Sequence, residues 1–387
     1  MPIAWLQLLH KKFRFIATLA ALGLIVNILF MQLGFQDALF DSAVGVHQSL
    51  EGDLFMISTQ YQALTSSQIF PKNRLYQTLA FNEVESVRPL YGNFGKLKNI
   101  ETGEKFSIYI FGIDPQKPAF KLEEINQNLD ILKMSDNVLF DRSSRPEFGP
   151  IAEYFQKKIP ISVEISPFNN IVYAKRYHVR GLFTIGPSFG LDGILVTNYA
   201  TFLNTFLERS IKYIDIGIIK VKPKTDIKQL QYKLRKYIHD GVRILTLSEF
   251  ISLEKDYWNR RTPIGFVFNL MVTMGFIMGI GISYQILYSS IADHLIEYAT
   301  LKAIGFTDNY LLTIVLQQAL ILAILGYIPG LIVSYGLFDI SRQATHLPIQ
   351  MTMDKILIVL ASVIAMCCIS AIIAMQKIRD ADPADIF

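Results

Sequence analysis

The chain predicts a membrane α-helical fold: four transmembrane helices in a 1+3 layout, with a large mixed α/β domain between the first helix and the second. Three observations carry this. Apolar residues crowd into four segments, Phe15–Leu33, Ile264–Leu287, Leu311–Phe338 and Ile356–Met375. Each approaches or exceeds the ~20 helical residues needed to cross ~30 Å of hydrocarbon at ~1.5 Å per residue. Of all residues 51% are hydrophobic and 18% charged, yet the four segments hold almost no charge, so the polar stretch between the first two is a water-exposed domain.

In chain order, residues 1–12 come first. Pro2 to His10 is mostly apolar around Trp5 and reads as an interfacial helix lying on the bilayer surface, the alternative being an unstructured start. Helix 1 covers 13–33. Lys11, Lys12 and Arg14 resemble the charged start of a signal peptide, but the apolar run exceeds a signal's usual ~7–15 residues and no small-x-small cleavage site follows promptly, so an uncleaved anchor is expected. The same cations place the N-terminus on the cytoplasmic side. Lys377 and Arg379 agree; Arg260 and Arg261 oppose it, but a loop of this length translocates largely regardless of charge.

Residues 34–263 form the outer domain. Alternation predicts strands at Phe106–Gly112, Tyr177–Phe183 and Ile214–Val221. Ile227, Leu230, Leu234 and Ile238 give a helix over Thr225–Gly241 with Gly241 as its stop. Gly186 to Gly190 is a turn-rich connection, and a split of the domain is expected near Asn128–Asp141. Helix 2 spans 264–287, a cytoplasmic loop 288–310, helix 3 311–338, a short outer loop 339–355, helix 4 356–375 and a cytoplasmic tail 376–387.

Chemistry is sparse. A net charge of +4 without a basic run interleaved with aromatics excludes nucleic acid as a partner. The six histidines show no metal-ligand spacing, and neither a nucleophile elbow nor a phosphate-cradling loop occurs. Asp141-Arg142-Ser143-Ser144-Arg145 reads as a solvated turn. No catalytic, cofactor-binding or metal-binding residue is expected. Cys367 and Cys368 lie inside the last apolar segment, so the outer domain holds without disulfides.

The membrane segments carry more. Gly275 and Gly279, like Gly326 and Gly330 around Pro329, are small residues four apart that let helices approach closely, either inside one chain or at a dimer seam. Asn27, Gln317 and Gln318 should face protein rather than lipid. Between helices 2 and 3, Ile291, Leu295, Tyr298, Leu301 and Ile304 recur at three- and four-residue spacing, with Asp293, Glu297 and Lys302 between them and Gly305 as a stop. This predicts a short amphipathic helix at the membrane surface, followed by Thr307-Asp308 capping the next helix. Its acids argue against a mere connector lying on anionic headgroups.

Glu297-Tyr298-Ala299-Thr300-Leu301-Lys302-Ala303-Ile304-Gly305-Phe306 resembles the E-x-x-x-L-(R/K)-A-I-G signature of FtsX/MacB-type ABC transporter permeases. Arg379 to Phe387 is similar to their D-P-A tail, and Trp5–Leu8 with Phe30–Phe35 is most similar to the DevC-type branch. The resemblance implies a homodimeric, non-catalytic permease in the bacterial inner (plasma) membrane with a large mixed α/β periplasmic domain. It binds no cofactor itself, and ATP is used by a separate cytoplasmic ABC ATPase subunit docked on the helix around Ile291–Ile304. Glu297 and Lys302 would make the charged contacts there, Leu301 and Ile304 the apolar ones. The resemblance further implies a periplasmic adaptor, an outer-membrane channel and a glycolipid or other amphiphile as cargo. Two alternatives stand: a lipoprotein-releasing permease, and a transmembrane signalling scaffold controlling a cell-wall hydrolase.

Overall fold

The computed structural model describes Trp5 and residues 12–168, 173–186, 188–238, 240–345 and 347–379. The expected interfacial helix, apart from Trp5, and the tail motif beyond Arg379 lie outside the described residues. Two compact units result, one of residues 1–38 with 263–387 and one of residues 39–262.

The first unit is helical. Helices α1 (Lys12–Ala43), α2 (Pro263–Asp293), α3 (Leu295–Ile304), α4 (Asp308–Thr345) and α5 (Met353–Arg379) build it. Four of them, all but α3, are long and apolar enough to cross a membrane. Each contains one of the apolar segments and extends beyond it; α1 continues past Leu33 to Ala43. Pro329 does not end α4, which is unbroken to Thr345. Leu22, Val26, Leu29 and Phe30 of α1 share a core with Leu287, Val315, Leu322, Ala323, Val363 and Met366. Several neutral polar groups inside it are hydrogen-bonded between helices: Asn27 Nδ2 donates to Ser334 Oγ at 3.1 Å, Ser370 Oγ to the Ile280 carbonyl at 2.8 Å, and Tyr327 OH to the Ile356 carbonyl at 2.8 Å. Hydrocarbon offers no alternative partners, which is why such bonds are kept inside. Asn27 and Gln318 are buried and Gln317 half-buried, as their polarity requires.

The second unit contains β1 (Leu54–Ser58), β2 (Phe70–Pro71), β3 (Val84–Lys98), β4 (Lys105–Ile113), β5 (Asn137–Asp141), β6 (Ile161–Pro167), β7 (Lys175–Phe183), β8 (Ile194–Asn198), β9 (Tyr213–Ile214), β10 (Ile216–Val221) and β11 (Val242–Thr246). Nine strands form one sheet in the order β11-β1-β10-β3-β4-β8-β5-β7-β6, and β6 also pairs with β3, so the last six close into a ring. β3 makes this possible. Its first half, Val84–Leu90, pairs with β10; its second, Tyr91–Lys98, pairs with β4 from Tyr91↔Gly112 to Lys98↔Lys105, and Gly95–Lys98 pair with β6 as well. Pro89, which lacks an N–H, sits in the half that has one neighbour. Alternation on β4 feeds two cores: Ile108 and Ile110 enter one, Tyr109, Phe111 and Ile113 the other.

Several sequence expectations are corrected here. The split near Asn128–Asp141 is absent, since β5 lies inside the sheet between β8 and β7. The strand over Ile214–Val221 is broken at Asp215, whose buried carboxylate turns in to accept the Gly92 N–H at 2.9 Å and the Ser67 hydroxyl at 3.0 Å and to pair with Arg209. Burial pushes its pKa up, against the pull of that guanidinium. The helix expected to reach Gly241 runs from Ile227 to Tyr237, capped by Asp226 accepting from the Gln229 N–H at 3.0 Å; Gly241, at φ +72°, instead forms the turn into β11. Asp141 is not solvated: it is buried at the end of β5, with its carboxylate accepting from the Ser143 N–H at 3.0 Å.

Another buried carboxylate of this unit is Glu254, on the helix Leu247–Asp256. Its carboxylate is 1% exposed and accepts from Trp258 Nε1 and the Leu64 N–H, each at 3.0 Å, and from Tyr61 OH at 3.4 Å, while His47 Nε2 lies 3.4 Å away. His47, itself fully buried, packs edge-on against Phe250.

Candidate functional site

The amphipathic segment between the second and third membrane helices folds as expected into a separate short helix, α3. His294 breaks the chain from α2 with a non-helical φ of −112°, and its Nδ1 lies 2.9 Å from Glu297 Oε1 one turn on. At the other end the Gly305 N–H bonds the Lys302 carbonyl at 3.0 Å and the Phe306 N–H the Leu301 carbonyl at 3.1 Å. These two bonds, with Gly305 at φ +108°, are a Schellman cap. A side chain at Gly305 would meet open space, so the demand for glycine comes from backbone conformation alone.

One face of α3 turns inward. Tyr298, like Ile291 in the last turn of α2, is 1% exposed, Ala299 is buried, and Leu301 packs against the membrane core. Leu295 is half-buried. The Tyr298 hydroxyl is pushed up to about 12 by burial, with the Glu297 charge adding to the shift and a bond to the Gln318 side chain opposing it. Charges bracket the helix: Asp293 pairs with Arg14, and Lys302 lies 3.6 Å from Asp308. Thr307 starts α4, its carbonyl accepting from the Tyr310 N–H at 2.9 Å, and Asp308 sits in the first turn.

The opposite face is open. Ile296 and Ile304 are 66% and 69% exposed, Thr300 lies exposed between them at helical spacing, and Phe306 stacks on Tyr310 beyond the cap. Ile304, which its spacing puts on the stripe with Tyr298 and Leu301, lies instead on the outer face, whereas Leu301 is half-buried and packs against the bundle. The physical reason is angular: Leu301 is three residues from Tyr298, and Tyr298 is locked inward. Ile296 and Phe306 are the outward apolar residues that sequence reading missed. The spacing 296-300-304 is legible in the sequence, but it is overlaid by the longer apolar stripe through Tyr298.

Both small-residue pairs are used within the chain. A Cβ on Gly326 would fall 2.7 Å from Leu22 Cβ, and one on Gly330 2.6 Å from Val26 Cβ and 2.7 Å from the Gly23 carbonyl, so α1 and α4 touch backbone to backbone. Gly275 faces Gln32 of α1 in the same way, and Gly279 faces Met366 of α5 and Ile25 of α1. Among the described residues no group of three or more His, Cys, Asp or Glu could hold a metal ion.

The chain is similar to the periplasmic region of MacB from Actinobacillus actinomycetemcomitans, at 13% identity and a TM-score of 0.34, over 52% of this chain and 92% of that one. It is also similar to the extracellular domain of the noncanonic ABC-type transporter YknZ from Gram-positive bacteria, at 14% identity and a TM-score of 0.33, over 50% of this chain and 99% of that one. The family model described as the FtsX-like permease C-terminal matches residues 268–383, a stretch that begins within α2 and takes in α3, its Gly305 cap, α4 and α5. Over those residues the chain is similar to the C-terminal part of FtsX-like permeases.

Proposed function

We propose that this chain is the permease subunit of an ABC-type exporter, and that α3 is the element on which a separate cytoplasmic ATPase acts. The observation that carries the reading is the outward apolar ridge of Ile296, Thr300 and Ile304, which flanks the half-exposed Glu297 side chain on a helix fixed at both ends, inside the FtsX-like region. Apolar anchors in a charged rim are what a protein partner recognises. Glu297 and Lys302 add charge at that rim.

In this reading the protein lies in the bacterial inner membrane with residues 39–262 in the periplasm, and works as a homodimer. Nucleotide-driven movement of the ATPase shifts α3 and the membrane helices. The periplasmic unit works with an adaptor and an outer-membrane channel to move an amphiphile. With Gly275, Gly279, Gly326 and Gly330 engaged inside the chain, the dimer seam falls on other surfaces.

The test is co-purification with the cognate ABC ATPase. Ile296→Glu combined with Ile304→Glu should abolish retention of the ATPase while leaving the permease folded, whereas Leu301→Val, on the inward face, should leave retention intact. If the double variant retains the ATPase as the wild type does, the docking assignment fails. If no ABC ATPase is retained by the wild type, the chain is not a transport subunit and the signalling scaffold takes its place.

A further inference from the structure

The 39–262 unit holds a groove with a cavity volume of about 750 Å³, within the range of small-molecule sites. Its walls come from residues 124–128, residues 155–160 and β7. Phe155, Ile159, Pro160, Val179 and Leu182 supply an apolar lining, and Gln127, Asn128 and Gln156 add amides. Its charge is one-sided. Arg142, Lys158 and Arg180 line it against one acid, Glu124, which is already held by Arg142 at 2.7 Å. Lys158 and Arg180 make no ion pair among the described residues.

Lys158 is unusual in how it gets there. It follows the short helix Ile151–Gln156, and its N–H bonds the Phe155 carbonyl at 3.0 Å while the Ile159 N–H bonds the Tyr154 carbonyl at 3.0 Å. This is the same Schellman cap that closes α3, at the position where Gly305 stands. Here the residue is lysine, at φ +59°. Left-handed backbone disfavours any residue with a Cβ, and glycine would fit without strain. Of the non-glycine residues held at positive φ, Asp136, Lys158 and Lys224, it is Lys158 that lines the groove.

The geometry points to a binding site for an anionic amphiphile: a phosphate or carboxylate group held by Lys158 and Arg180, with an apolar stem along Phe155, Ile159 and Leu182. The proposal deepens the export reading by giving its cargo a chemical class, and its test needs no ATPase, so its failure leaves the permease assignment standing.

Full-length protein in neutral phosphatidylcholine nanodiscs should bind hexyl phosphate saturably by calorimetry, and inorganic phosphate at least about tenfold more weakly, because the stem adds buried apolar area. Lys158→Gly and Arg180→Gln should each weaken hexyl phosphate about tenfold, the worth of one charge-assisted hydrogen bond. Lys158→Gly should at the same time raise the melting temperature, by about 2–4 °C, since it relieves the backbone. That pairing of weaker binding with a stabler fold separates a ligand contact from a structural role. Equal binding of phosphate and hexyl phosphate would reduce the site to a simple anion contact and overturn the proposal. Unchanged affinity in both variants, or no saturable binding in the wild type, would overturn it too. Binding of an acidic peptide such as hexaglutamate without binding of hexyl phosphate would transfer the groove to a protein partner.

Discussion

The two units bury polar groups by opposite rules. In the 39–262 unit a whole carboxylate, Glu254, is enclosed and surrounded by four partners from three segments of chain. Asp215 is enclosed in the same manner. In the helical unit enclosed groups such as Asn27 and Ser334 are an amide and a hydroxyl with one or two bonds each, and close approach of backbones at Gly23, Gly326 and Gly330 supplies the contact. A folded α/β domain can use a charge as a knot when donors converge on it, here the Trp258 indole, the Leu64 N–H and the Tyr61 hydroxyl. In hydrocarbon the same knot would have to be desolvated from a state that has no water to return to, so packing replaces it.

This contrast can be broken experimentally, and the largest effect is expected at the knot. Glu254→Ala leaves the Trp258 indole N–H, the Leu64 N–H and His47 without their acceptor and should destabilise the 39–262 unit by ~3–5 kcal/mol, as loss of one partner of a buried charged network does. Trp258 fluorescence during urea unfolding of the full chain reads this out. A change under ~1 kcal/mol would mean that the cluster is not a unit. Next comes packing. Gly330→Leu forces side-chain atoms into Val26 and should cost ~1–3 kcal/mol of helical-unit stability, while Gly336→Leu, which meets open space, should be near neutral. Equal effects at the two positions would sink the backbone-contact account. The smallest effect is expected at Asn27→Val, which removes the bond to Ser334 for only ~0.6 kcal/mol, the average measured for hydrogen bonds between membrane helices. A loss as large as that of Glu254→Ala would erase the contrast.

Much of the helical unit was legible because hydrocarbon demands long uninterrupted apolar runs, and α3 was legible because its apolar period and Gly305 coincide. What the sequence hid was orientation. The stripe Ile291-Leu295-Tyr298-Leu301-Ile304 is amphipathic whichever partner it faces, and only the structure turns Ile291, Tyr298 and Leu301 to the membrane core and leaves Ile304, with Ile296, outside. In the soluble unit β4 and β7 announced themselves by alternation. β3 did not: Pro89, Gly92 and Gly95 interrupt its pattern, and each interruption has a tertiary cause, a one-sided pairing at Pro89, the Asp215 carboxylate on the Gly92 N–H, and two flanking strands at Gly95. The groove at Lys158 had no linear signal at all, since its cations come from residues 142, 158 and 180.

The order of strands in the sheet also has a consequence in time. Among the described residues β1 has only β10 and β11 as neighbours, and the first half of β3 has only β10. During synthesis these two early strands must therefore remain with open edges until residues 216–246 have been made. The ring can close beforehand, because β3 to β8 are contiguous in the chain. Assembly of this domain is thus expected in two stages: the ring first, with β1 waiting unpaired beside it, then a late closure just as α2 enters the membrane. An unpaired edge of Leu54-Phe55-Met56-Ile57 is an aggregation hazard while it lasts. The newborn domain is most vulnerable in that interval, and a factor that shields nascent chains would act on it there.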